Sequence, residues 1–146
     1  MNNEQQAKNL VVSKEQDFSD RTKVTKQSFS LFFDRMLKKL NEHTGQAISK
    51  KDIADMLDID YELFRHYVNK SKVLKKRDCI IAICAMLQAD TSDTIDGLYY
   101  YDIEELNDYD PRDEMLMDIL DEQTQCFLTI DEINQKLSGK FFPELD

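Results

Sequence analysis

Residues 47–70 read AISKKDIADMLDIDYELFRHYVNK, and the spacing within them decides the fold. Ser49 stands where a helix N-cap belongs. Ile53, Ala54 and Leu57 then fall on one face of a short helix from Lys50 to about Leu57. Asp58-Ile59-Asp60 makes a tight connection. Asp60 suits the cap of a second helix, Tyr61 to Asn69, because its carboxylate accepts from backbone N–H groups that have no partner inside the helix. On that helix Leu63, Phe64, Tyr67 and Val68 form the apolar face, leaving Tyr61, Glu62, Arg65, His66 and Asn69 on the other. Two short helices joined by about three residues predict a helix-turn-helix unit whose second helix projects from the body.

Upstream, Phe29, Phe32, Phe33, Met36, Leu37 and Leu40 follow the spacing of one buried helical stripe. A helix is expected from about Ser28 to His43, with Arg35, Lys38, Lys39 and Glu42 wet and Gly45 ending it in a left-handed conformation. Residues 1–26 are polar apart from Leu10-Val11-Val12 and are expected to form a mobile arm. Downstream, a basic connection from Lys70 to Arg77 leads into a nearly all-apolar helix, Asp78 to Gln88, suited to the middle of a bundle. Asp90 or Ser92 starts the next helix, which carries Ile95, Leu98 and Tyr99 and ends near Tyr101. Residues 102–110 are acidic and predict a loop. Asp110-Pro111 opens a helix with the stripe Met115, Leu116, Ile119 and Leu120. Thr129 and Glu132 have capping-box spacing for a last helix to about Leu137, ended by Ser138-Gly139. The dipeptide Arg-Asp opens two helices, at Arg77-Asp78 and Arg112-Asp113, an echo too short to count as a repeat.

The fold class expected is therefore all-α: a helical bundle with a helix-turn-helix core of about five helices, residues 27–101, and an acidic helical extension, residues 102–146, packed on it. With 146 residues, only 3 Gly and 2 Pro, the chain is poor in the turn-formers that an all-β fold needs. No apolar run reaches the ~20 residues of a membrane helix. The first residues have neither a basic start nor an apolar stretch, so no secretory signal is expected. Cys79, Cys84 and Cys126 are an odd number beside apolar runs, which suits reduced thiols and a cytoplasmic location.

The net charge of −10 is divided unevenly. Residues 1–80 hold 16 Lys and Arg against 12 Asp and Glu, a sum of +4; residues 81–146 hold 3 against 17, a sum of −14. The two halves are expected to face different partners. Arg65, His66, Lys70, Lys72, Lys75, Lys76 and Arg77 flank the projecting helix, where basic side chains can hold phosphates.

The stretch 47–70 resembles the helix-turn-helix of the Cro and phage-repressor (XRE) type. Ile53-Ala54 matches that family's Leu-Ala pair, Ile59 the apolar residue after the turn, Phe64 and Tyr67 the inward positions of the second helix, and Asn69 the residue near its end. RDCIIAICAMLQADTSDTIDGL, residues 77–98, looks like the family's fourth and fifth helices, so the resemblance spans about Phe29–Leu98. Asp58 stands where the family usually has Gly, and the outward face holds less Arg, Gln and Ser than usual. The resemblance implies sequence-specific binding of double-stranded DNA by a dimeric transcriptional regulator. Arg65, Tyr61, Glu62 and Asn69 would read bases, His66 could contact bases or phosphates, and Lys70, Lys72, Lys75 and Lys76 would hold phosphates.

The competing reading is a protein-interaction adaptor, or an inhibitor mimicking nucleic acid, that uses the acidic half. The acidic segment 90–122 also suits a mask for the basic face, or a plain solubilising surface. No cofactor, metal or catalytic site is expected. The three glycines are isolated, the cysteines lack ligand spacing, and the carboxylates show no pairing that stands out from the general acidity.

Overall fold

The computed structural model describes residues 25–74 and 76–145. The arm expected over residues 1–26 falls almost wholly outside them, as does Lys75. Among the described residues there are seven α-helices and no strand: α1 Thr25–Thr44, α2 Lys50–Met56, α3 Tyr61–Asn69, α4 Arg77–Met86, α5 Thr91–Tyr100, α6 Pro111–Glu122 and α7 Ile130–Gly139. None of these helices is long and apolar enough to cross a membrane.

Side-chain caps fix most of the boundaries. Ser49 and Thr129 each form a full capping box, with Asp52 and Glu132, while Asp60, Asp90 and Asp110 each accept backbone N–H groups of the turn that follows. Asp90, rather than Ser92, therefore begins α5. Gly45 ends α1 at φ +71, as its position predicts. The α7 end differs from expectation. The helix runs through Gly139, and Phe141 takes the left-handed position at φ +62.

The helix ends also show two matched turns. Met56-Leu57-Asp58-Ile59-Asp60 and Met86-Leu87-Gln88-Ala89-Asp90 have the same geometry, thirty positions apart in the sequence. Asp58 and Gln88 are both left-handed, at φ +55 and +57. Ile59 N donates to Ala54 O, and Ala89 N to Cys84 O, each at 3.0 Å. Both turns are thus closed by a six-to-one hydrogen bond without glycine.

α1 packs against α3 and α5, α4 against α5 and α2, and α6 against α5 and α7. One apolar cluster runs through all seven helices, from Phe29 and Phe33 through Ile53, Phe64, Ile83 and Leu98 to Leu116, Leu120 and Leu137. The acidic extension is consequently part of the core rather than a separable flap. Inside the cluster, Gln123 is buried. Its amide donates to Ala85 O and Leu128 O and accepts from Leu128 N, which satisfies its polar atoms and ties α6 to α4.

Gly97 sets the distance between α1 and α5. A Cβ there would stand 2.8 Å from Phe32 Cε1 and 3.2 Å from Cys84 Sγ, both on buried side chains. Helix propensity alone would favour Gly97→Ala by about 1 kcal/mol. Overpacking a closed core costs about 1–3 kcal/mol. We expect the clash to win and the variant to unfold at lower urea than the native chain; a raised midpoint would show that Phe32 yields freely.

The echoed Arg-Asp dipeptides pair crosswise. Arg77 forms a fork on Asp113, at 2.9 and 2.6 Å, and Arg112 a fork on Asp78, at 3.1 and 2.9 Å. The match continues beyond the dipeptides. Arg77 also donates to Glu104 O and Glu105 O, and Arg112 to Pro143 O and Glu144 O. Asp102 and Phe141 are the left-handed residues that follow α5 and α7. Ile103 N→Leu98 O and Phe142 N→Leu137 O close the two ends alike, and Leu106 and Leu145 each tuck into the core behind them. Residues 77–106 and 112–145 are two helical hairpins of one design, locked face to face by a reciprocal clasp.

Candidate nucleic-acid interface

α3 is seated by Phe64 and Val68, both fully buried; the Phe64 ring meets Phe33 of α1 edge-on at 5.6 Å. With that face fixed, Glu62, Arg65, His66 and Asn69 form an exposed stripe at i, i+3, i+4 and i+7. Tyr61 departs from the expected set, because it is half-buried and packs on the core. Leu63, expected inward, is only half-buried.

Each member of the stripe is held locally. Arg65 Nη2 lies 3.0 Å from Glu62 Oε2, a pair in which Arg65 is 47% exposed. An exposed pair of this spacing is worth about 0.3–0.5 kcal/mol, less than the ~1–3 kcal/mol of a good bidentate base contact, so it orients Arg65 without withholding it. His66 Nδ1 is 2.8 Å from Ser71 Oγ, and Asn69 Oδ1 accepts from Ser30 Oγ at 3.3 Å.

The basic connection is less uniform than its composition suggests. Lys72 and Lys76 are exposed. Lys70 is turned inward instead. It is the left-handed C-cap of α3, its Nζ donates to Tyr100 O at 3.2 Å, and it sits 4.8 Å from the centre of the Tyr101 ring. Partial burial lowers its pKa, an effect offset in part by the charge of Asp102. Arg77 is likewise drawn away from the exposed basic side chains by its fork on Asp113. The hydrogen bond it donates to Asp113 raises its pKa against the opposing effect of burial.

Tyr101 is the residue that composition did not mark. It is buried, its ring packs perpendicular to Phe29 at 4.9 Å, and its hydroxyl accepts from Leu74 N and donates to Tyr67 O, both at 3.0 Å. Burial raises its pKa, so it remains a neutral phenol able to make both bonds. In the sequence it is one of three consecutive tyrosines, and helical spacing from Leu98 to Tyr101 is the signal that places it inward.

Comparison of the chain with family models, with curated proteins and with solved structures finds no match.

Proposed function

We propose that the chain binds double-stranded DNA sequence-specifically, with α3 in the major groove, as a dimeric transcriptional regulator in the cytoplasm. The observation that carries this reading is the exposed stripe Glu62, Arg65, His66 and Asn69 on a helix held rigid from behind. Such a helix presents donors and acceptors to base edges at little ordering cost. Lys72 and Lys76 follow directly and supply phosphate contacts, while Lys70 serves the fold.

Selection of preferred sites from a random duplex pool tests the proposal. On the selected site, Arg65→Ala should cost about 1–3 kcal/mol and relax the choice at one base pair. Lys72→Ala and Lys76→Ala should weaken binding to all sequences alike, each flattening the log–log salt dependence by about one unit. A pool that shows no enriched sequence at low salt would end this reading.

A protein-interaction adaptor is the second reading, favoured by the extension. Its basic residues are few, and Arg112 is committed to Asp78. The extension also carries an open groove lined by Glu104, Glu105, Asp108, Leu106, Met117 and an almost fully exposed Tyr109. An adaptor keeps its partner in the Arg65 and Lys76 variants and loses it when Tyr109 or the neighbouring carboxylates are changed.

A further inference from the structure

The connection between α3 and α4 carries Lys72 and Lys76, and it is fastened at three points by residues that come later in the chain. Near its middle, Leu74 N donates to the Tyr101 hydroxyl, which in turn donates to Tyr67 O at the end of α3. At its start, Lys70 is tied to Tyr100 O and the Tyr101 ring. At its far end, Lys76 is followed at once by Arg77, whose guanidinium holds Glu104 O, Glu105 O and the Asp113 carboxylate together. Asp113 also accepts from Asn107 N at 3.0 Å. The segment 102–107 therefore lies between its two anchors, Tyr101 on one side and Arg77 with Asp113 on the other. The Arg112–Asp78 fork completes the clasp from the last hairpin.

Two features show that this fastening serves the connection rather than the core alone. Lys72 and Val73 are exposed, and their stretch has little apolar burial of its own apart from Leu74. A loop with so little burial opens readily unless polar bonds hold it. Local bonds from His66 and Tyr67 hold its first half, Lys72 N donating to His66 O at 3.3 Å; the bonds that hold Leu74 and Arg77 come from residues 101–113, at 27 to 36 positions' remove.

We propose that Tyr101 and the clasp of Arg77 on the 104–105 carbonyls and Asp113 together set the order of the lysine-bearing connection, so that local opening of segment 102–107, with the core kept folded, loosens the loop and lowers DNA affinity. The proposal rests on the DNA reading for its second clause only. It makes the extension a positive regulator of the interface, since phosphate contacts made by an ordered loop carry no ordering cost at binding. A partner that engages the extension and opens the clasp would thus weaken DNA binding from a distance.

Native-state amide exchange of the full chain, paired with duplex binding at several salt concentrations, tests this. Arg77→Lys keeps a positive charge beside Asp113 but cannot fork across carboxylate and carbonyls. It should speed exchange of the Leu74 amide at least ~10-fold while leaving Ile83 and Leu98 protected, and it should flatten the salt dependence by about one to two units. Tyr101→Phe, which removes the acceptor of Leu74 N, calibrates the exchange of a Leu74 amide without its partner. Should Arg77→Lys lose protection at Ile83 and Leu98 as well, Arg112→Lys cuts the clasp from the other side and takes its place. Unchanged Leu74 exchange in the clasp variant would overturn the proposal, as would faster exchange with duplex binding unaltered. Faster Leu74 exchange in a chain that binds no duplex at all upholds the fastening and rejects only the DNA reading.

Discussion

Asp113→Asn should lower the free energy of unfolding by about 3–5 kcal/mol near neutral pH, the cost of leaving one partner of a buried charge pair alone. The Asp113 side chain is only 6% exposed, and it receives both prongs of Arg77 and the Asn107 amide. Burial on its own pushes this carboxyl up. The hydrogen bonds from Arg77 and Asn107, with the charges of Arg77 and Arg112, outweigh it and hold the group below the ordinary aspartate value. A lowered folded value means that the unfolded chain binds the proton first as the solution is acidified. The stabilisation is therefore complete above the unfolded value of about 3.9 and is lost as pH falls through the folded one. Urea midpoints measured from pH 7 down to about 2.5 should fall steeply below about pH 4 in the native chain and less steeply in Asp113→Asn. The difference between the two curves isolates this carboxyl from Asp52, whose value is lowered by its capping bonds to Ser49. A parallel pair of curves would place the clasp outside the stability of the fold.

The clasp also marks where the sequence was hard to interpret. Helix positions followed from periodicity and caps, because both are local: the α1 stripe, the Ser49 and Asp60 caps and the Asp110-Pro111 start depend on neighbours a few residues away. The Arg-Asp echo was visible, but its meaning depends on residues 34 to 36 positions apart, and two shared letters carry no such information. The same holds for the second hairpin. Phe141 occupies the backbone position of Asp102, and Pro143-Glu144-Leu145 that of Glu104-Glu105-Leu106, so geometry repeats where side chains do not. At the interface, the stripe of α3 was legible because one apolar face implies the opposite one. The connection was not: charge composition treats Lys70, Lys72, Lys76 and Arg77 as equals, whereas Lys70 and Arg77 are drawn inward by carbonyls and a carboxylate from later in the chain.

Phe33→Ala should cost about 3–5 kcal/mol, the range for emptying a large aromatic site in a core that cannot collapse around it. Phe33 is fully buried, its ring meets Phe64 edge-on, and Lys50 Nζ lies 5.7 Å from its centre, so it joins α1, α2 and α3 at one point. Leu31, two residues earlier and 68% exposed, is the control, with an expected loss of under half a kcal/mol on truncation. Ile83→Ala, in the same cluster but away from α3, should cost about 2–5 kcal/mol. The two core variants then part company in function. Under the DNA reading, the cavity at Phe33 lies directly beneath the helix that presents Arg65, and small displacements there should blur base choice. Ile83→Ala at equal residual stability should leave that choice intact. Denaturant titration gives the first comparison and site selection with each variant the second. Losses below half a kcal/mol at both Phe33 and Ile83 would show that the shared core lies elsewhere, and with it the seat on which α3 depends.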